Sequence, residues 1–485
     1  MLRYGILQDD APALKWQRRC LEALARVDGA RLEMSLTPVA DSVARARAAA
    51  LDFILSFTDL GDAAGFVDLP RFGLWQPLLG DWINYRGEPG AFWEVYEGHA
   101  TSAALLVRAH ADPEMVTVLR EVHLRTQRLS HLENREQLLE RLLGTPAQAC
   151  RELVRNGSIS GPTRRAERPV RRRPTAADRA RLKALIGARI VATGLSSLFR
   201  HDQWNVGIVD QPIADFLNHS APPVRWLPPT PRSEFRADPF GIVLDGNPTI
   251  LCEYYSYVDN RGFIVALNPE RPAPFVRVTI GPERPVHLSY PYLFEHEGRH
   301  YCVPESSEAQ EITMFEIDRS SDRWKKVATL VTGRGFADAS LFEHEGRWWM
   351  AASDVADKGA NSELHLWFAA DPEGPWEAHP GNPVKIDVRS ARPGGTPFRV
   401  GGVLYRPAQD CSSTYGARII INRVLELGPE VFREEVAATV DPDPCGAYPQ
   451  GLHTLSAMGD QTLIDGKRSI FAPAQLWRVV RKLIS

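Results

Sequence analysis

The stretch Phe294-Glu295-His296-Glu297-Gly298-Arg299 returns unchanged as Phe342-Glu343-His344-Glu345-Gly346-Arg347, 48 residues further on. A self-match at a fixed spacing of this size marks stacked or radial repeats. Each copy has an apolar run before it and an aromatic run after it. Tyr290-Pro291-Tyr292-Leu293-Phe294 leads to Gly298, and His300-Tyr301-Cys302-Val303 follows. Asp338-Ala339-Ser340-Leu341-Phe342 leads to Gly346, and Trp348-Trp349-Met350 follows. An acidic residue and a glycine between two β-rich runs signal a hairpin turn.

The same layout appears on both sides. Upstream, Asp238–Leu244 turns at Asp245-Gly246 into Ile250–Tyr255. Downstream, Thr396–Val400 turns at Gly401-Gly402 into Val403–Tyr405. A fainter unit starts at Leu452-His453-Thr454-Leu455, with its turn placed near Asp465-Gly466. Hairpin modules reused at regular spacing predict an all-β, five-bladed propeller over residues 201–485. Trp204–Val209 is expected to supply the closing strand of the last blade.

Aligning the units on their turn glycines gives a register. Eight residues before the glycine stand Asp238, Tyr290, Asp338 and Gly394. Seven residues after it stand Glu253, Glu305, Ser353 and Gln409. In an antiparallel hairpin both offsets fall at the same end of the pair. If the first strand of each blade is innermost, these positions crowd one mouth of the central channel. Acids scattered in the chain then become one constellation: Asp238, Glu253, Glu305 and Asp338.

Composition sets the frame. The chain has 485 residues, 44% of them hydrophobic, and a net charge of −3. That balance implies no general attraction to nucleic acid or to acidic membranes. Six scattered cysteines without a Cys-x-x-Cys read as reduced, mostly buried thiols rather than a metal site. No metal-ligand spacing, cofactor motif or phosphate-cradling glycine loop is present, so neither a metal nor a cofactor is expected. Neither a signal-peptide pattern nor an 18-residue apolar run occurs. A cytoplasmic protein is expected, free or peripheral at the inner face of the membrane.

Three segments are expected. Residues 1–145 alternate strand and helix: Arg3–Leu7 and Leu51–Phe57 as strands, Pro12–Val27 and Asp41–Ala50 as helices. That alternation favours a parallel sheet. Residues 146–200 hold an Arg-rich linker, Asn156–Thr175, then a helix capped by Thr175 and Asp178. The arginine run reads as a solvated charge run or as a contact to anionic lipid. Residues 201–485 form the propeller, ending in a basic amphipathic helix, Ala472–Leu483, that either packs on its domain or lies on a membrane.

Two resemblances rest on particular residues. Gly73–Asp81 and Asn84-Tyr85-Arg86-Gly87-Glu88-Pro89-Gly90-Ala91-Phe92-Trp93-Glu94 resemble the folate-dependent formyltransferases, especially those acting on amino-sugars. The resemblance implies a Rossmann-like α/β domain. The family's Asn-x-His pair falls on Gln76 and Leu78, and its acid falls near Asp112. Formyl transfer needs a base for the amine proton and a donor for the oxyanion, and leucine supplies neither. A degenerate domain without formyltransferase activity is therefore expected.

The second resemblance covers Arg236–Phe240, His287–Tyr292, Val303–Ser306 and Phe336–Ser340. These four motifs, in order, resemble the N-terminal domain of glucosamine inositolphosphorylceramide transferases and, more distantly, the five-bladed propellers of arabinanases and invertases. Those glycosidases imply an Asp, a second Asp and a Glu acid. Here the order is Asp238, Glu305, Asp338, with Tyr290 in place of a second-blade acid.

The chemistry that fits is sugar transfer through an oxocarbenium-like state, with one carboxylate as base or nucleophile and one acid assisting departure. Glu305 is expected as acid, Asp238 as base, and Asp338 as orienter. Arg392 would neutralise the cluster or clamp a phosphate. Arg236, Glu253, His287, Tyr290, Gln409 and His453 are expected to bind substrate. The bland reading is that acids at strand starts cap turns. Three functions remain open: a glycosyl-transferring enzyme of cell-surface polysaccharide or glycolipid assembly, a furanosidase-like glycoside hydrolase, or a non-catalytic glycan-binding protein. The implied partners are a sugar donor and a glycan or glycolipid acceptor, not nucleic acid.

Overall fold

A computed structural model describes residues 1–472, apart from 11, 88, 219–221, 245, 281–285, 319–322 and 356–360. The expected C-terminal amphipathic helix lies almost wholly outside the described residues, and so does Asp245 of the first turn. The chain divides into two units, Met1–Val191 and Ala192–Ser485.

The N-terminal unit is α/β. Strands β1 (Leu2–Leu7), β2 (Ala30–Leu36), β3 (Phe53–Ser56) and β4 (Leu74–Leu79) pair in parallel, in the order β2-β1-β3-β4. Helices α1 (Lys15–Ala25) and α2 (Ala40–Ala49) make the crossovers. The sheet continues antiparallel through β5 (Thr101–Ala109), β6 (Met115–Arg125) and β7 (Thr163–Arg165). Helices α3 (Phe92–Glu97), α4 (His131–Leu142) and α5 (Thr145–Asn156) complete it. Its core stacks Phe53 on Trp75, ring centroids 4.0 Å apart.

The Arg-rich stretch departs from the expected flexible linker. β7 lies within it, and its arginines meet acids. Arg164 grips Glu121 through two bonds of 3.0 and 2.7 Å, and Arg171 reaches Glu97 at 2.8 Å. Counter-charges that are remote in sequence order what composition alone reads as a tether. Helix α6 (Ala176–Phe199) begins as expected: Thr175 Oγ1 accepts from the Asp178 amide, and Asp178 accepts from the Thr175 amide.

The second unit is a β-propeller. Its sheets are β10 (Glu234–Leu244), β11 (Asn247–Ser256), β12 (Arg261–Leu267) and β13 (Val276–Arg277); β14 (Ser289–His296), β15 (Arg299–Glu305), β16 (Glu311–Glu316) and β17 (Lys325–Thr332); β23 (Phe398–Val400), β24 (Val403–Asp410), β25 (Arg418–Gly428) and β26 (Val431–Val440). A fourth joins the two ends of the unit: β27 (Leu455–Met458), β28 (Gln461–Phe471), β8 (Arg200–Val209) and β9 (Arg225–Trp226). Trp204–Val209 is thus the closing strand, paired to β28 from Thr462 to Lys467.

Four four-stranded sheets are therefore present among the described residues where five blades were expected. The remaining module, β18 (Phe336–His344), β19 (Arg347–Asp354) and β20 (Glu363–Ala369), shares the outer edge of β20 between short β21 (Glu377–Ala378) and β22 (Lys385–Asp387). The repeated turns behave as the sequence suggests. Glu297-Gly298 and Glu345-Gly346 hold φ of 51° and 73°, and 51° and 70°. Two successive positive φ values give the tight turn whose twist matches the flanking strands.

The first strands of neighbouring sheets are linked around the axis. The Tyr292 hydroxyl donates to the Leu341 carbonyl (2.5 Å). The Tyr290 hydroxyl pairs with Ser340 (2.9 Å) and accepts from the Gly395 amide (2.7 Å). Gly395 in turn bridges Leu455. Gly395 has φ of +134°, and a Cβ there would lie 1.8 Å from the Leu455 carbonyl oxygen. Gly395→Ala should therefore destabilise the propeller by more than about 3 kcal/mol, since backbone strain alone costs about 1–3. Gly459→Ala, strained but in open space, should cost clearly less. Urea denaturation of the two variants checks the order.

Candidate active site

The register read from the turn glycines places the site. β10 is irregular between Ala237 and Phe240, β14 between Ser289 and Tyr292, and β18 between Ala337 and Ser340. At each irregularity the residue eight before the glycine takes a left-handed conformation. Asp238 has φ of 52°, Tyr290 of 43° and Asp338 of 57°. Left-handed backbone at non-glycine residues costs about 1–3 kcal/mol each and clusters at functional sites. Immediately before them, Ala237, Ser289 and Ala337 pair with Glu253, Glu305 and Ser353, the residues seven after the glycine. Both offsets therefore meet at one end of each hairpin.

Asp338 is buried on β18. Its Oδ2 accepts from Arg392 Nε (2.5 Å) and from Gln409 Nε2 (2.6 Å). Burial pushes its carboxyl up to about 6, although the Arg392 guanidinium pulls it down. Arg392 also donates to Asn361 (2.8 Å), lies 3.9 Å from Glu305, and sits over the Tyr415 ring at 5.2 Å. Its Nε and Nη1 are engaged by protein groups, and Nη2 faces Glu305.

Asp238 is equally buried on β10. Thr454 Oγ1 donates to its Oδ1 (3.0 Å) and the Tyr290 amide to its Oδ2 (3.3 Å). His453 Nε2 lies 3.5 Å from Oδ1. Burial raises the Asp238 carboxyl to about 6; His453 opposes the rise, and Asp338 and Asp465 add to it. His453 joins two acids, because its Nδ1 lies 2.6 Å from Asp465 Oδ2. Burial disfavours the imidazolium, yet Asp465 and then Asp238 hold its pKa above the usual value. Trp204 stacks under the imidazole at 4.0 Å.

Glu305, on β15, is the least buried of the acids. Ser289 and Ser307 donate to its two oxygens at 3.0 and 2.8 Å. Glu253, on β11, lies 3.3 Å from His287 Nε2. Burial drives the Glu253 carboxyl well above its ordinary value, and Asp238, Glu305, Asp338 and Asp465 add their repulsion. Asp238, Glu305 and Asp338 thus all lie close enough to bear on Glu253.

Two predicted residues serve elsewhere. Arg236 is buried, but it donates to Asn205 (3.1 Å) and to the Pro228 carbonyl, bracing β8 against the loop after β9. The Tyr290 ring points to Ser340 and Gly395, and only its backbone amide meets a site acid. In the N-terminal unit, Gln76 is buried and gives its amide hydrogen to the Thr58 carbonyl (2.6 Å). Leu78 pairs with Leu105 across β4 and β5. Asp112 is exposed in the β5–β6 turn, where Arg165 holds it at 3.2 Å.

Asp465 was read as a turn residue. That reading is corrected: the turn is Gly459-Asp460, and Asp465 is fully buried within β28. Gly466 is in the strand because a Cβ there would meet Trp226 at 2.4 Å. A lone acid within Thr462-Leu463-Ile464-Asp465 was the signal that marked it. Asp238, His453 and Asp465 offer ligand atoms within 4.8 Å of one another, as do Asp354, Glu363 and His365. In the first set the imidazole stands between the two acids.

The second unit is, in class, a β-propeller with buried carboxyl groups at Asp238, Glu253 and Asp338. Residues 226–446 match the family described as glucosamine inositolphosphorylceramide transferase 1, N-terminal. The glucosamine inositolphosphorylceramide transferase 1 of Oryza sativa subsp. japonica is 33% identical over 207 residues, 42% of this chain and 28% of that protein. The Arabidopsis thaliana protein of that name is 32% identical over 207 residues, 42% of this chain and 27% of its own. The chain thus spans less than a third of the length of these relatives. All four resembling motifs fall inside the matched stretch, whereas His453 and Asp465 fall beyond it. Among solved structures, a thermostable family-43 glycoside hydrolase is 15% identical over 44% of this chain and 77% of its own (TM-score 0.32). Zg3597, a family 117 glycoside hydrolase from Zobellia galactanivorans, is 13% identical over 56% of this chain and 91% of its own (TM-score 0.36).

Asp238 supplies a test of the axial electrostatics. A carboxyl whose folded pKa exceeds its unfolded value holds its proton more tightly when folded. The resulting stability is present below 3.8 and is lost as pH rises through about 6. Asp238→Asn removes that loss. Relative to wild type, the variant should gain about 1–3 kcal/mol between pH 4 and pH 7.5. Urea midpoints at both pH values measure it, and any pH-independent cost cancels in the difference. An unchanged difference contradicts the buried, repelled state of Asp238.

Proposed function

We propose that the propeller unit is carbohydrate-active and transfers a glycosyl group during assembly of a cell-surface polysaccharide or glycolipid. Counted with the β18 module, the ring has five blades. One observation carries the reading. Buried acids in left-handed backbone recur at one register, Asp238 and Asp338, inside the stretch that matches a transferase family. Developing positive charge at a sugar C1 is stabilised by fixed carboxylates in such a setting.

Asp238, poised near 6 and hydrogen-bonded to Thr454, suits the base that takes the acceptor's proton. Glu305, accepting from two serines, is the candidate for the group that assists departure. Asp338 fixes Arg392 and Gln409 and balances the field. The partners on this reading are a sugar donor and a glycan or glycolipid acceptor, handled in the cytoplasm or at the inner membrane face. Among the described residues no helix is long and apolar enough to cross a membrane.

The N-terminal unit is read as a formyltransferase-like domain that does not transfer formyl groups. Leu78 offers no proton acceptor, the Gln76 amide is committed to Thr58, and Asp112 is engaged by Arg165 at the surface.

Incubation with a panel of nucleotide-sugars and glycan or glycolipid acceptors tests the proposal. Nucleoside diphosphate release with glycosylated acceptor supports transfer. Free sugar released from glycans supports hydrolysis instead, and saturable binding without turnover supports a binding protein. Asp238→Asn and Glu305→Gln should each lower turnover by at least about 100-fold, with cooperative unfolding retained. Full activity in both variants would remove the axial site from the chemistry.

A further inference from the structure

Glu253 differs from its neighbours in what surrounds it. Asp338 has Arg392 and Gln409; Asp238 and Asp465 share His453; Glu305 accepts from two serines. Glu253 is 6% exposed, and the ionisable group within hydrogen-bond reach of it is His287. That imidazole has a fixed tautomer. The Gly262 amide donates to His287 Nδ1 (3.0 Å), so a neutral ring carries its hydrogen on Nε2, facing Glu253 Oε1 at 3.3 Å. Burial keeps the ring neutral, its pKa being lowered despite Glu308 and Asp238 nearby.

Gly262 makes the approach possible. A Cβ at that position would lie 2.3 Å from Glu253 Oε1 and 2.8 Å from His287 Cε1. The charged groups that face Glu253 are Asp238 from β10, Glu305 from β15, Asp338 from β18 and Asp465 from β28, all acidic. Arg392 is spent on Asp338. Ionising Glu253 would add another negative charge to a dry cluster of acids. The Nε2–H of the neutral imidazole faces one carboxyl oxygen, and the other oxygen is left to hold a proton.

We propose that Glu253 is the proton donor of the axial site, aligned by His287 and Gly262. The assignment rests on the glycosyl-transfer reading and moves the acid role from Glu305 to Glu253. In the step, the bond from sugar C1 to the leaving oxygen breaks, and its electron pair takes the Glu253 proton. The acceptor oxygen bonds to C1, and its proton passes to Asp238. Donor and acceptor alcohol exchange the glycosyl group, and one proton moves from Glu253 to Asp238. Return of that proton through solvent resets the site.

Infrared difference spectroscopy of the full chain at pH 8 tests where the proton resides. That pH is above the values to which Asp238, Asp338 and Glu94 are raised. A protonated-carboxyl C=O band, shifted in D2O, should be present in wild type, vanish in Glu253→Gln and persist in Glu305→Gln. A band that survives in Glu253→Gln, or disappears in Glu305→Gln alone, overturns the assignment. Kinetics test its use. Glu253→Gln should lose at least about 100-fold with donors whose leaving oxygen needs a proton, yet stay within about tenfold of wild type on a glycosyl fluoride. Equal losses on both donors would overturn the donor role. Wild type that turns over neither donor would sink the glycosyl-transfer reading, while the band would still locate the proton.

Discussion

The axial site depends on one electrostatic constraint: several carboxyl groups are taken out of water within reach of one another, with few cations to offset them. Each must be paired, hydrogen-bonded or protonated, because an isolated buried charge costs several kcal/mol. Three solutions appear side by side. Asp338 takes Arg392, Asp238 and Asp465 share His453, and Glu253, its pKa driven up by burial, faces the His287 imidazole. Asp238 and Asp338 both sit in left-handed backbone, and both are buried.

The scaffold supplies the rigidity this needs. Tyr290 ties the first strands together: its amide donates to Asp238, and its hydroxyl pairs with Ser340 and accepts from the Gly395 amide. The closing sheet brings β8 against β28, so His453 and Asp465 are set by a pairing between the two ends of the unit. Five of the six cysteines are buried thiols, and Cys445 is exposed; none is paired. The ring is held by hydrogen bonds and packing rather than by covalent links.

Much of this was legible in the chain. The doubled hexapeptide fixed the hairpin unit, and counting from its glycine located Asp238, Tyr290, Asp338, Glu253 and Glu305 at one end of their hairpins. Register is readable because side chains alternate strictly along strands. What sequence could not give was which atoms pair. Tyr290 and Asp338 occupy equivalent positions, yet a phenol is long enough to cross to Gly395 while a carboxylate stops at Arg392. Asp465-Gly466 looks like a turn because its glycine makes room for Trp226, a contact between residues 240 positions apart. The Arg-rich stretch looked like a tether because Glu97 and Glu121 are distant in sequence.

The central claim is that Asp238 and Asp338 belong to one coupled, desolvated site. The direct measurement is the ionisation of Asp238, followed by carboxyl-detected NMR, in wild type and in Asp338→Asn. The account predicts a wild-type value near 6 that falls toward 3.8 when the Asp338 charge is removed and Arg392 is freed. A wild-type value already near 3.8, or one that the substitution leaves unmoved, would contradict it.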